Sequence, residues 1–182
     1  MKTLHALIGA SLGALLCFGC GGDQVKSEGV PENTPKWALT PPDACGVGIA
    51  KHRGNLGMAK TTAEARGRDA LARELATKVE GMIKDYQQSG ETDGKDFTEE
   101  LTTQVSRQIV DQTLVGTRTR IAHVSEGADK QYYALVCLDP ESFAGAFDRM
   151  NELSKKQRAA LKARSEAEFK DLDMQLDRLQ NQ

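Results

Sequence analysis

Four cysteines, at positions 17, 20, 45 and 137, carry the most distinctive chemistry available to this 182-residue chain. Cys17 and Cys20 spell C-x-x-C, a spacing that serves redox or zinc chemistry where a fold surrounds it. Here the pair closes an apolar leader with nothing around it to shape a site. Cys45 and Cys137 could be drawn with His52 and His123 as four zinc ligands, yet nothing in the set has ligand spacing, and no metal is expected. Gly46-Val47-Gly48 with Gly54 misses the G-x-G-x-x-G spacing of a dinucleotide loop, and the glycines fall inside a strand-like run. Gly90 to Lys95 is one residue short of a phosphate-binding loop, and Asp96 stands where Ser or Thr is required. Glu99-Glu100 suits the positive end of a helix, but adjacent helical residues do not face each other, so paired acid–base work is not expected. Arg118 and Arg120 are read as sharing one strand face, where they could meet an anionic glycan or lipid; a solvated face is the plainer account. No nucleophile is grouped with a base, so the reading is of no catalytic residues, no cofactor and no enzyme.

The remaining candidate is Cys20, and the elements around it are those of an export signal. Lys2 gives a positive start, and Leu4 to Phe18 form an apolar run of about 15 residues, short of the roughly 20 that span a bilayer. The tetrapeptide Cys17-Phe18-Gly19-Cys20 resembles the lipobox of bacterial lipoproteins, with Gly19 before the cut and the cysteine after it. Cys17 and Phe18 depart from the usual Leu and small residue, although Leu15 and Leu16 lie just upstream. A thiolate is the side-chain nucleophile that can take a diacylglyceryl group. Two or three acyl chains (palmitate among them) then hold far better than one, at roughly 0.8 kcal/mol per buried CH₂. Residues 1–19 are read as the signal peptide, with diacylglyceryl and N-acyl groups on Cys20; an ordinary cleaved signal without lipid is the alternative. Gly21, in place of Asp, inclines the sorting toward the outer membrane.

Residues 20–43 are polar and rich in Gly and Pro, a composition that cannot offset chain entropy by burial, and are read as a tether. Trp37 is its exception and is expected to pack onto the domain edge, a partner contact being the sharper alternative. Formal net charge is −2 with no basic block, which argues against nucleic acid as a partner.

Beyond the tether, Ala44 to Lys51 reads as a buried strand. From about Gly57 to Ser89, Ala72, Leu75, Ala76, Val79, Met82, Ile83 and Tyr86 recur at helical steps. The first half of that helix is rich in alanine, which lets it lie close to a sheet. Asp96, with Glu99 three residues on, opens a shorter helix striped by Phe97, Leu101, Val105 and Ile109. Leu114 to Val124 and Gln131 to Leu138 read as two strands of a hairpin, the second apolar on both faces and therefore central. Asp139-Pro140-Glu141 starts a long helix with Phe143, Phe147, Met150 and Leu153 on its core side. Past Lys155 it becomes charged, and its later stripe of Phe169, Leu172, Leu176 and Leu179 either meets a partner helix or packs on its own domain, with partner contact or self-association favoured. The fold class is α/β (α+β): a three-stranded antiparallel sheet of order 2-3-1 with one short and two long helices, β-α-α-β-β-α. The domain is read as 44–153 and the charged helical extension as 154–182. If the first and third strands are antiparallel neighbours, Cys45 and Cys137 come to one end of the sheet, either bridged or as two buried thiols.

Pro35-Lys36-Trp37, the Gly46-Val47-Gly48 strand and the helix containing Ala65-Arg66 and Ala70-Leu71-Ala72-Arg73-Glu74-Leu75-Ala76 resemble the LPP-twenty (LPP20) lipoprotein family. Tyr132-Tyr133-Ala134-Leu135-Val136 and Asp139-Pro140-Glu141 are similar as well, so the likeness covers about Trp37 to Met150. It implies a compact α/β domain of a bacterial surface or periplasmic lipoprotein; with the inclination given by Gly21, the expected place is the cell envelope, lipid-anchored to the outer membrane on its periplasmic side or at the cell surface. The resemblance also implies a structural or assembly role, which in relatives is flagellar. The anchor and the C-terminal stripe point to the membrane and to a protein or a second copy of the chain as partners; a peptidoglycan-binding module, with Arg118, Arg120 and the sheet face as its surface, is the alternative.

Overall fold

The computed structural model describes residues 33–90 and 96–180. The elements run α1 (Lys36–Leu39), β1 (Cys45–Lys51), α2 (Leu56–Gln88), α3 (Glu99–Leu114), β2 (Arg118–Val124), β3 (Gln131–Cys137), α4 (Pro140–Asp148), α5 (Lys155–Phe169) and α6 (Leu172–Gln180). The sheet is antiparallel throughout, with β3 between β1 and β2. This is the α+β class and the 2-3-1 order read from the sequence. β3 is central because six of its seven residues, Tyr132 to Cys137, are buried, which only a strand covered on both faces can sustain.

One helix organises the rest. At 33 residues α2 is about 50 Å long, roughly twice the span of a seven-residue strand, so it covers the sheet and projects beyond it. Its buried residues change with this division. Ala59, Ala63, Gly67 and Leu71 lie in the sheet half, and Leu75, Val79, Met82, Ile83 and Tyr86 in the projecting half. The small ones permit an approach that strand glycines complete. A Cβ on Gly48 would stand 1.8 Å from the Ala63 carbonyl oxygen, and one on Gly46 would stand 2.1 Å from that of Gly67. Backbone therefore packs against backbone, and alternation explains the pairing of the glycines, since residues two apart in a strand face the same way.

The large residues of the projecting half receive the other helices. Tyr86 meets Phe97 edge to face at 6.1 Å, and the Ser106 hydroxyl of α3 donates to the Ala76 carbonyl at 3.3 Å. Phe143 of α4 packs edge to face on Phe147 at 5.5 Å and on Phe169 of α5 at 5.3 Å.

Several boundaries differ from the sequence reading. The long terminal helix is three. It stops after Asp148, and Ser154 restarts it by a capping box in which its hydroxyl accepts from the Gln157 N–H while the Gln157 side chain accepts from the Ser154 N–H. That break folds α5 and α6 back onto the domain. Phe169, Leu172 and Leu176 are accordingly buried in the chain's own core, with Leu179 partly buried beside them, and the stripe is not a free interaction surface. The charged extension is therefore part of the same compact unit. α3 starts from Thr98, whose hydroxyl accepts from the Leu101 N–H at 3.1 Å, rather than from Asp96, and Phe97 is buried ahead of it. Leu114 ends α3, so β2 begins only at Arg118. Toward the amino end, α1 seats Trp37 in the core, and Thr34 shares a hydrogen bond of 3.2 Å with the Tyr133 hydroxyl. The folded unit thus starts within the stretch read as tether.

The close helix–strand seat generates a prediction. Gly48→Ala should lower unfolding free energy by about 3 kcal/mol or more, because backbone must move to admit the methyl. Gly81→Ala, in the same helix with open space around it, should raise it by about 1 kcal/mol. Urea denaturation of the two variants checks both signs, and equal effects would disprove the close seat.

Candidate functional site

At one end of the sheet Cys45 and Cys137 occupy opposed register positions and are joined in a disulfide, with Cα atoms 4.1 Å apart. The next pair makes the ladder bond from Leu138 N–H to the Ala44 carbonyl at 3.1 Å. Antiparallel ladders alternate, so the cysteines fall at the non-hydrogen-bonded position, where facing Cα atoms come closest. Bridged and buried, they are spent as nucleophiles or metal ligands. His52 lies at the opposite end, its N–H donated to the Lys130 carbonyl at 2.8 Å, and His123 sits across from Tyr133. The four residues that could have been drawn as a zinc site are thus spread over both ends of the sheet.

Beside the disulfide, Ala44 is buried with a φ of 61°, a backbone region that favours glycine. It is held there partly by Glu74 of α2, whose Oε1 accepts the Ala44 N–H at 2.7 Å. Burial pushes the Glu74 carboxyl above the usual glutamate range; the Ala44 N–H pulls the other way, Asp43 raises it further, and Lys78 lowers it. Lys78, one turn on, pairs with Glu168 of α5, and that hydrogen bond holds its ammonium above the ordinary lysine value. Lys78 also lies 5.8 Å over the Phe169 ring. These charges line a recess of about 400 Å³ with Thr77, Gly81, Met82 and Asp85. Glu74 carries a raised proton affinity, but its carboxylate is committed to the strand entry, and its neighbours bind helices together.

The two arginines of β2 do not simply share a face. The register passes from Thr119↔Val136 to Ile121↔Leu135, so Arg120 is the extra residue of a β-bulge, which a period-two pattern cannot foresee. Arg118 and Arg120 are both exposed and border a recess of only about 30 Å³ beside Cys137 and Asp139. Arg120 also reaches Asp173 of α6 at 3.5 Å.

At the other end of the sheet a wider recess of about 530 Å³ opens between β1 and the start of α2, lined by Lys51, Arg53, Asn55, Met58, Thr62 and Arg66. Arg66 donates to the Ile49 carbonyl at 2.5 Å, which fixes its guanidinium at the rim. Composition alone does not expose this feature, because its cations are dispersed between residues 51 and 66 of a chain with net charge −2. The turn from strand to helix gathers them.

Among the described residues no group of three or more His, Cys, Asp or Glu side chains could hold a metal ion, and no helix is long and apolar enough to cross a membrane. Cys20 lies outside the described residues. A protein-family model, that of the LPP20 lipoprotein, matches residues 35–139. A search of the curated proteins finds no match.

Two predictions arise here. The bridge closes a separation of 92 residues, so Cys45→Ala/Cys137→Ala should lose about 4 kcal/mol of stability. The denatured, unreduced mature protein should show neither of these thiols to a thiol reagent; finding both reactive would remove the bridge. The second concerns pH. The folded state binds the Glu74 proton more tightly than the unfolded chain does, so its share of stability is complete below the ordinary glutamate range and is lost as pH rises through the raised value. Glu74→Gln keeps an acceptor for the Ala44 N–H and deletes the titration. Wild type should therefore lose stability relative to the variant as pH rises through that window in denaturant unfolding, and a constant difference would show that burial does not govern Glu74.

Proposed function

Because the chain belongs to the LPP20 lipoprotein family, we propose that it is a bacterial envelope lipoprotein, acylated on Cys20, whose domain acts by contact as a scaffold or assembly factor. The observation that carries this reading is the family match over residues 35–139, set directly downstream of a leader that ends Cys17-Phe18-Gly19-Cys20. The chemistry of the domain agrees with it. Its bridged cysteines suit an oxidising compartment outside the cytoplasm. Its strained Ala44, its half-buried Glu74 and its close helix–strand seat all serve the architecture. An outer-membrane address and a flagellar role are the finer forms of this proposal, resting on Gly21 and on the family resemblance respectively.

A peptidoglycan-binding module receives less support. The recess beside Arg118 and Arg120, at about 30 Å³, is far smaller than a ligand pocket, and Arg120 is engaged by Asp173.

Metabolic labelling with palmitate and membrane fractionation in the native host test the anchor. Wild type is expected to carry label and sediment with membranes, and Cys20→Ser to lose both. An unlabelled, soluble wild-type chain would end the proposal. For assembly with itself, light scattering of the unacylated chain is the measurement. A monomer at every concentration removes the homomeric form and leaves a different protein as the partner.

A further inference from the structure

We propose that the β1–α2 corner is a contact surface for a bilayer of anionic phospholipid, on which the anchored domain lies down; the inference deepens the lipid-anchor reading and rests on it. The first observation is where the chain enters the domain. Thr34 is bonded to the hydroxyl of Tyr133, two register positions from Lys51↔Gln131, the pair that closes this end of the sheet. From Cys20 to Asn33 the backbone reaches at most about 45 Å, which keeps the domain near the headgroups on a short leash, at high effective concentration.

The second observation is what that end displays. Lys51, Arg53 and Arg66 are exposed there, around the recess between β1 and α2; Lys60 lies on the other flank of α2, where Glu64 reaches β2. Beside that recess are the exposed apolar side chains of the first turn of α2, Leu56 at 50% and Met58 at 68%, while Ile49, 37% exposed, projects from the sheet face away from α2. A single exposed Leu or Met means little. Exposed apolar residues ringed by cations are the pattern of surfaces that settle into the headgroup layer, the apolar tips entering and the cations meeting phosphate. The start of α2 adds to the same sign. Its first turn carries no acidic residue, and its cap is Asn55, a neutral side chain that accepts from the Met58 N–H at 3.0 Å. The opposing charges at this end are Glu64, which is engaged by Lys60 at 4.0 Å and by the Thr119 hydroxyl at 3.2 Å, and Glu126 and Asp129 in the β2–β3 turn. Those two acids share the β2–β3 turn with Lys130, so that turn adds no net cation; the recess between β1 and α2 is lined by Lys51, Arg53 and Arg66 and, among the described residues, by no acidic side chain. The corner itself is therefore cationic within a chain of net charge −2.

The test uses the mature acylated chain mixed with vesicles of phosphatidylcholine, with or without phosphatidylglycerol, read by flotation and by the rate of lysine acetylation. Lys84, exposed about 39 Å along α2 from Met58, is the internal reference. With phosphatidylglycerol present, acetylation of Lys51 should fall several-fold relative to Lys84, and on phosphatidylcholine alone it should not. Leu56→Ser/Met58→Ser, changes at exposed positions, should restore it. Equal labelling in both lipids by a chain that floats with both leaves the anchor standing and overturns the surface, and is also the outcome if the cations meet an acidic protein instead. A chain that fails to float with phosphatidylcholine has no anchor. Flotation with phosphatidylglycerol then supports the surface if Lys51→Gln/Arg53→Gln weakens it by about thirtyfold, some fivefold per charge. Absent flotation, or flotation indifferent to those substitutions, overturns it.

Discussion

The approach of the α2 backbone onto β1 is the constraint from which the rest of the structure descends. A helix seated on a sheet through ordinary side chains stands about a side chain's length away; here carbonyls of Ala63 and Gly67 fill the space where strand side chains would be. Such a seat fixes the helix laterally as well as in depth, since a shift along its axis would bring a bulkier residue over a glycine. Interiors are dense enough that this geometry cannot be traded against looser packing elsewhere. With α2 so placed, its overhang becomes the wall on which α3 and α5 are built, and α4 fills between them. Sheet and helical layer are therefore two faces of one element, its small-residue half and its large-residue half.

Much of this was legible in the residues. Strand content and the central position of β3 follow from composition, because Tyr132 to Cys137 offers no polar face. With β1 antiparallel beside it, Cys45 stands opposite Cys137. The alanine-rich half of α2 suggests closeness, and its matching signal in β1 is the two glycines with one residue between. Small residues two apart in a strand and four apart in a helix are complementary patterns, and each is ambiguous without the other.

What escaped detection has physical causes as well. The stripe from Phe169 to Leu179 announces that something covers it, but periodicity carries no information about what. The deciding signal was upstream, in Ser154 and Gln157, whose reciprocal hydrogen bonds break the helix and permit its return. Thr98 and Asp96 compete as caps on equal sequence terms, and burial of Phe97 outside the helix decides between them. The bulge at Arg120 leaves no trace in an alternating Thr-Arg-Thr-Arg run. The basic corner is likewise a product of the chain's turning, since its cations are unremarkable in linear order.

The position of the disulfide has a mechanical meaning. Tension applied through the amino-terminal side of the chain first meets Thr34 and α1, then arrives at the sheet at Cys45, the leading residue of β1. Without a crosslink there, an edge strand pulled from its end would unzip from its neighbour one hydrogen bond at a time. The bond to Cys137 instead hands the load at the outset to β3, the strand gripped on both sides. The ladder between Gly46 and Lys51 is bypassed, and the domain can be tugged by its leash without its outermost strand being peeled away.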